Sequence, residues 1–188
     1  MSKLPKVDKD IQAILEDYHL FLDCNKSAPM PFLVDKMDVN HVTSLKGECP
    51  LSSDVPLGNT ILECEVREKS EHNYSFKVLT DSIKSRMLIR FDEGNGVHRN
   101  SHLSIPVDQQ QVPTPHFHQY GDDGILYAFQ TEELRGRASS IDIHEGFSIF
   151  CNHFHINDDN IEVQVHEEGT LPFVHEPDSD PLNGIVFP

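Results

Sequence analysis

Hydrophobic residues recur along this chain with two periods, and the change from one to the other marks its elements. In residues 7–23, Ile11, Ile14, Leu15, Tyr18 and Leu22 fall at helical spacing, which predicts an amphipathic helix. Asp8 and Asp10 stand at its start, where a carboxylate can cap exposed amides. His19 lies beside the stripe and reads as a boundary or surface residue. The period then becomes two. Residues 60–67 place Leu62, Cys64 and Val66 on one side and Ile61, Glu63 and Glu65 on the other. Residues 73–79 alternate Tyr74, Phe76 and Val78 with Ser75 and Lys77, and the polar EKSEHN between the two runs predicts a hairpin. Residues 86–91 (RMLIRF) form a third strand, and an antiparallel meander is the economical arrangement of all three.

Other stretches are less regular. Residues 32–42 read as one strand or two short ones, and 46–58, punctuated by Gly47, Pro50, Pro56 and Gly58, read as a loop. Residues 92–96 carry turn chemistry, and 98–113 read as an irregular crossover. Pro113 and Pro115 force an extended chain into a short strand, HFHQY, at 116–120. GDDG at 121–124 has hairpin-turn chemistry and leads into the strand ILYAFQ. Helical spacing returns in Ile143, Phe147, Phe150 and Phe154, which predicts a second helix near 140–155, capped by Ser139 or Ser140 with Glu145 near its first turn. Gly146 weakens that helix by about 1 kcal/mol relative to Ala. Residues 161–166 read as a final strand. The expected fold class is α+β: a mainly antiparallel sheet of about five to seven strands, an N-terminal helix and a second helix near 140–155.

Length and composition fit one domain over residues 1–168 and an acidic, Pro-rich arm or tail over 169–188. Only 37% of the 188 residues are apolar, yet eleven are Phe, enough for one core; Trp is absent. Fifteen basic against 31 acidic residues leave a net charge of −16. Binding that draws its affinity from releasing phosphate counterions needs a basic patch, so nucleic acid is disfavoured as a partner and a basic protein partner suits the surface better. Cys24, Cys49, Cys64 and Cys151 form no C-x-x-C pair, the first residues lack a signal peptide's apolar core, and no run approaches a membrane span. The expected setting is the cytoplasm, with reduced thiols and no membrane association.

Candidate chemistry gathers in residues 91–127. His98, Arg99, Asn100, His116, His118 and Tyr120 lie there, and strand alternation puts His116, His118 and Tyr120 on one side with Phe117 opposite. Two histidines at this spacing can bind a divalent metal such as zinc, with His98 or an acid such as Asp122 as third ligand. They can equally do acid–base work on a phosphodiester, with Arg99 holding the phosphate and Tyr120 donating. A third possibility is purely structural: polar residues that hold an irregular crossover by hydrogen bonds. A second constellation, His144, Cys151 and His155, falls along the predicted helix, with Cys151 and His155 at i, i+4. His41 and Cys49 are isolated and lack partner spacing. Walker, dinucleotide-binding, nucleophile-elbow and zinc-finger patterns are absent.

The order LIRFDEGNG-x-HRN, then P-T-P-H-x-H-x-Y, then an apolar strand and a helix ending near C-N-x-x-x-I resembles an uncharacterised bacterial family found in Firmicutes genomes, prophages and other mobile regions. Members show an HRN or HTN step followed by a P-H-x-H-x-Y step, matched here by His98, Arg99, Asn100, Pro115, His116, His118 and Tyr120. The resemblance spans residues 58–165, and the chain departs from it after Tyr120, where GDDGILYAF is shorter and more acidic. It implies a mobile-element context and those candidate residues, without implying a reaction. The P-H-x-H step is also similar to that of some small toxins of toxin–antitoxin pairs. Two functions of different class follow as expectations. One is a His-centred enzyme performing RNase-like or metal-assisted hydrolysis of a phosphodiester. The other is a non-catalytic acidic protein, an antitoxin or anti-defence inhibitor, that occupies a basic partner.

Overall fold

The computed structural model describes residues 6–37, 43–94, 96–100, 106, 110–137, 140–157 and 162–165. The tail expected over 169–188, together with His41 and Ser139, lies outside the described residues. In chain order the first half comprises α1 (Lys9–Ala13), α2 (Leu15–Asp23), β1 (Lys26–Ser27), β2 (Phe32–Val34), β3 (Lys36–Met37), β4 (Leu45–Pro50), β5 (Ser52–Ser53), β6 (Thr60–Val66) and β7 (Tyr74–Thr80). The second half comprises β8 (Met87–Glu93), β9 (Val97–Arg99), β10 (Gln111–Pro113), β11 (His116–Tyr120), β12 (Leu126–Phe129), α3 (Glu132–Arg135), α4 (Ile143–His153) and β13 (Val163–Val165). Among the described residues, seven strands form one antiparallel sheet in the order β12-β11-β8-β7-β6-β4-β3, the α+β architecture expected from the period pattern. No helix among them is long and apolar enough to cross a membrane.

Period-two alternation decides the two faces of this sheet. The apolar face carries Leu62, Cys64 and Val66 of β6, Tyr74, Phe76 and Val78 of β7, Ile89 and Phe91 of β8 and Phe117 of β11, all buried. Helix α4 lies on it: Phe147 and Phe150 stand 5.0 and 5.6 Å from the Phe76 ring, and Phe154 meets Phe117 edge-on at 5.5 Å. Each buried Phe contributes roughly 1.5–3 kcal/mol, so packing holds this helix more than its own propensity does. The opposite face is polar. Register aligns Glu48, Glu63, Lys77, Arg90 and His118 in one row across five strands, and Lys46, Glu65, Ser75, Asp92 and His116 in the next. The Lys77 ammonium joins the rows, at 2.7 Å from Glu63 and 3.3 Å from Glu65.

Several local expectations are corrected. The helix expected over 7–23 is two pieces, because Ile14 leaves helical geometry (φ −121°, ψ 22°) and donates to Ile11. The break brings Phe21 into the core beside Ile11 and Tyr18, while Leu22 is only partly buried. The loop expected over 46–58 contains β4, which pairs with β6 from Leu45↔Val66 to Pro50↔Ile61. Gly47 belongs to that strand: an added Cβ would stand 2.9 Å from the Leu33 carbonyl carbon and 3.0 Å from the Val34 Cα. The glycine therefore serves close approach of β2, and Pro50 falls at the strand's end, where the ladder stops. The cap of α4 is Asp142, whose carboxylate accepts the Glu145 N–H at 2.9 Å, and Ser140 is exposed outside the helix. The crossover at 98–113 contains an antiparallel ribbon, β9 paired with β10. Helix α3 is a further element, capped by Thr131; four residues are too few to leave a helical period in the sequence.

Two buried polar side chains join helices to sheet. The Tyr18 hydroxyl donates to the Leu88 carbonyl and accepts the Tyr120 N–H, both at 3.0 Å, bridging β8 and β11 beyond their last register pair, His118↔Arg90. The Lys26 ammonium is 2% exposed as a residue and donates to the carbonyls of Leu22, Cys24 and Phe154 at 2.9–3.1 Å. Burial lowers its pKa, and three carbonyl acceptors at the ends of α2 and α4 are what permit a cation there.

Candidate metal centre

Strand β11 carries the site because its two faces do different work. Phe117 enters the core at 4.9 Å from Phe91, which turns His116 and His118 onto the polar face. Pairing with β8 sets Asp92 opposite His116 and Arg90 opposite His118. The two Nε2 atoms are 2.9 Å apart, and the Asp92 Oδ2 lies 3.0 Å from that of His118 and 3.8 Å from that of His116.

His98 arrives from the ribbon. The Asn100 amide donates to the Ala128 carbonyl at 2.7 Å and accepts the Ala128 N–H at 2.8 Å, so it pairs with β12 as a strand would. Ala128 is itself the register partner of His118. The base of the ribbon is held by Thr114, whose N–H donates to Gly96 at 3.2 Å and whose hydroxyl donates to the Gly94 carbonyl. His98 thereby stands edge-on to His118, with ring centres 4.7 Å apart, and 5.9 Å from His116. One ring nitrogen from each of the three histidines falls within 4.8 Å of the other two.

The electrostatics disfavour a charge on His98 and His116. Burial, then the neighbouring His118, lower the pKa of His116 to about 4, and the same two causes lower that of His98. Burial alone would raise the Asp92 carboxyl, but the His118 hydrogen bond and the Arg90 guanidinium outweigh it and hold the group at about 2. The His116 Nδ1 lies 3.1 Å from the Pro113 carbonyl and must donate to it, which leaves the Nε2 lone pair facing His118. Two imidazole nitrogens 2.9 Å apart require a proton or a cation between them. Two ligands of one tetrahedral zinc, each at about 2.05 Å, would be ~3.3 Å apart, close to the spacing found. A backbone acceptor on the far nitrogen is also the partner that orients a metal-bound histidine. The residues thus fit a divalent ion with His98, His116 and His118 as ligands, and Asp92 Oδ2 lies against the same His118 Nε2, where a carboxylate oxygen would face the ion.

Beside the histidines lies a cleft of about 330 Å³, lined among others by Arg67, Arg90, Asp92, Glu93, His98 and His116. Burial raises the Glu93 carboxyl to about 7, and its Oε2 has no hydrogen-bond partner. The structure therefore unites His98, His116 and His118 and separates the other candidates from them. Arg99 is exposed, points away from His98 by strand alternation, and does not line the cleft. Tyr120 packs against Tyr18 and bonds Ser85 at 3.3 Å, also outside the cleft. Asn100 is structural, and Asp122 is exposed in the β11–β12 turn, 3.4 Å from His19. The second constellation does not form: Cys151 is buried, His144 is exposed, and His155 lies past the end of α4 with φ +52°. Asp92 and Arg90 are the neighbours that the sequence reading missed. Their only trace was two charges at alternate positions of β8, on the side opposite Ile89 and Phe91. Comparison with protein-family models, with curated proteins and with solved structures finds no match to this chain.

Proposed function

We propose that this chain is a metal-dependent hydrolase whose ion is held by His98, His116 and His118. The observation that carries the reading is the convergence of three imidazole nitrogens within 4.8 Å beside an open cleft. A bound divalent ion would supply Lewis acidity and a water ionisable near neutral pH. The chain's own groups have separate tasks. Pro113 fixes the His116 tautomer, Asp92 sets a carboxylate against the His118 Nε2, and Asn100 holds the ribbon that carries His98. Glu93 lines the same cleft with a carboxyl near 7, suited to accepting a proton at physiological pH. Metal-free acid–base catalysis by the histidine pair fits less well. A His116 with a pKa of about 4 is a neutral imidazole at pH 7 and could serve such a pair only as its base.

Elemental analysis of the purified full chain tests this. About one transition-metal ion per chain is expected, and its loss from a folded His116→Ala, His118→Ala double variant. A wild-type chain that stays metal-free when titrated with zinc, or a double variant that keeps its metal, overturns the reading.

A further inference from the structure

The cleft holds a second cationic feature that metal binding does not use. Arg67 follows the last residue of β6 and extends over Ser75 on β7, and Ser75 is the register partner of Asp92. Its Nη2 lies 3.4 Å from Glu65 and 3.5 Å from the Ser75 hydroxyl, long contacts that leave most of the fork's donors uncommitted among the described residues. Arg90 approaches from the neighbouring strand. Its Nε and Nη2 both meet one Asp92 oxygen, at 2.8 and 2.7 Å, so its remaining N–H groups are directed elsewhere. Both guanidinium groups line the cleft that the three histidines line. A chain with 31 acidic and only 15 basic Lys and Arg residues has set two arginines around one opening.

We propose that the substrate of this cleft is a phosphate ester, its oxyanion held between Arg67 and Arg90 beside the histidine-bound ion. This rests on the metal reading above. The charge count favours an anion. Two guanidinium groups and a divalent ion face the carboxylates of Asp92, Glu93 and Glu65, so the loaded cleft is net positive inside an acidic protein. Paired arginines with a metal ion are the equipment that stabilises charge on a transferring or hydrolysing phosphoryl group. Arg67, reaching in from the hairpin side, is a substrate-binding residue with no part in holding the ion.

The test titrates inorganic phosphate, with acetate as a parallel probe, into the zinc-treated full chain by calorimetry, and repeats it with Arg67→Ala and Arg67→Lys. Arg67 is partly exposed and outside the core, so both variants should melt and carry metal as the wild type does. Phosphate should bind, with affinity reduced about tenfold in Arg67→Ala and partly retained in Arg67→Lys. No phosphate binding by the zinc-loaded wild type, or equal binding by Arg67→Ala, overturns the proposal and leaves the metal reading standing. Acetate binding in preference to phosphate overturns the phosphate assignment in favour of a carboxylate. Zinc content is measured on the same samples, so a chain without metal sinks the hydrolase reading separately. In that case the phosphate titration of the metal-free chain still decides whether the arginines form an anion site.

Discussion

The side chain of Asn100 pairs with both backbone groups of Ala128, donating to its carbonyl at 2.7 Å and accepting its N–H at 2.8 Å. The amide takes the place of a neighbouring strand at the edge of the sheet. It sits two residues from His98 and across the ladder from His118, so one side chain sets the distance between two of the three candidate ligands. Asn100→Ala would leave two buried backbone groups unpaired, at a cost of about 2–3 kcal/mol. Urea denaturation should show that loss, and zinc titration should show weaker binding, because His98 is no longer held. Unchanged zinc affinity in a folded Asn100→Ala protein would mean that Asn100 does not position the site.

Glu93 makes the fold sensitive to pH in a defined direction. Its folded pKa of about 7 lies above the ordinary value near 4.3, so the folded chain holds this proton more tightly than the unfolded chain does. The associated stability is fully present below pH ~4 and is lost as pH rises through 7. Glu93→Gln mimics the protonated acid and cannot ionise. Its advantage over the wild type should be smaller at pH 5 and greater by about 1–3 kcal/mol at pH 8.5, read from denaturation curves at the two values. An equal difference at both pH values would exclude burial of the ionised carboxylate as the cause.

Gly146 lies against Tyr74, whose hydroxyl donates to the Asp142 carbonyl at 2.9 Å near the start of α4. An added Cβ would stand 2.7 Å from the ring carbon bearing that hydroxyl, and nearer still to the hydroxyl itself. Alanine is intrinsically better in a helix by about 1 kcal/mol, but the overlap costs about 1–3 kcal/mol. Gly146→Ala should therefore destabilise the protein. Tyr74→Phe removes the obstructing oxygen, and the double variant should be more stable than the two single losses add up to. A stabilised Gly146→Ala would show that the helix has room to shift.

How much of this was legible depended on whether the relevant signal was local. Alternation in 60–67 and 73–79 was enough to outline β6 and β7, and the apolar run within 86–91 to outline β8. The stripe Ile143, Phe147, Phe150 and Phe154 announced α4 in the same way. The H-x-H spacing also sufficed to put His116 and His118 on one face, because Phe117 between them needed the core. By itself, then, the sequence determined the alternating strands, the amphipathic helices and a pair of histidines facing one way. Tertiary structure alone decided that Asp92 stands opposite His116, that the ribbon brings His98 to them, and that Arg67 and Arg90 line the cleft in place of Arg99. It also turned Gly47 and Gly146, read as breakers, into points of close approach. Those outcomes depend on strand register and on contacts between residues far apart in the chain. Period and turn chemistry record how a residue relates to its near neighbours, and carry no record of which distant strand will pair beside it.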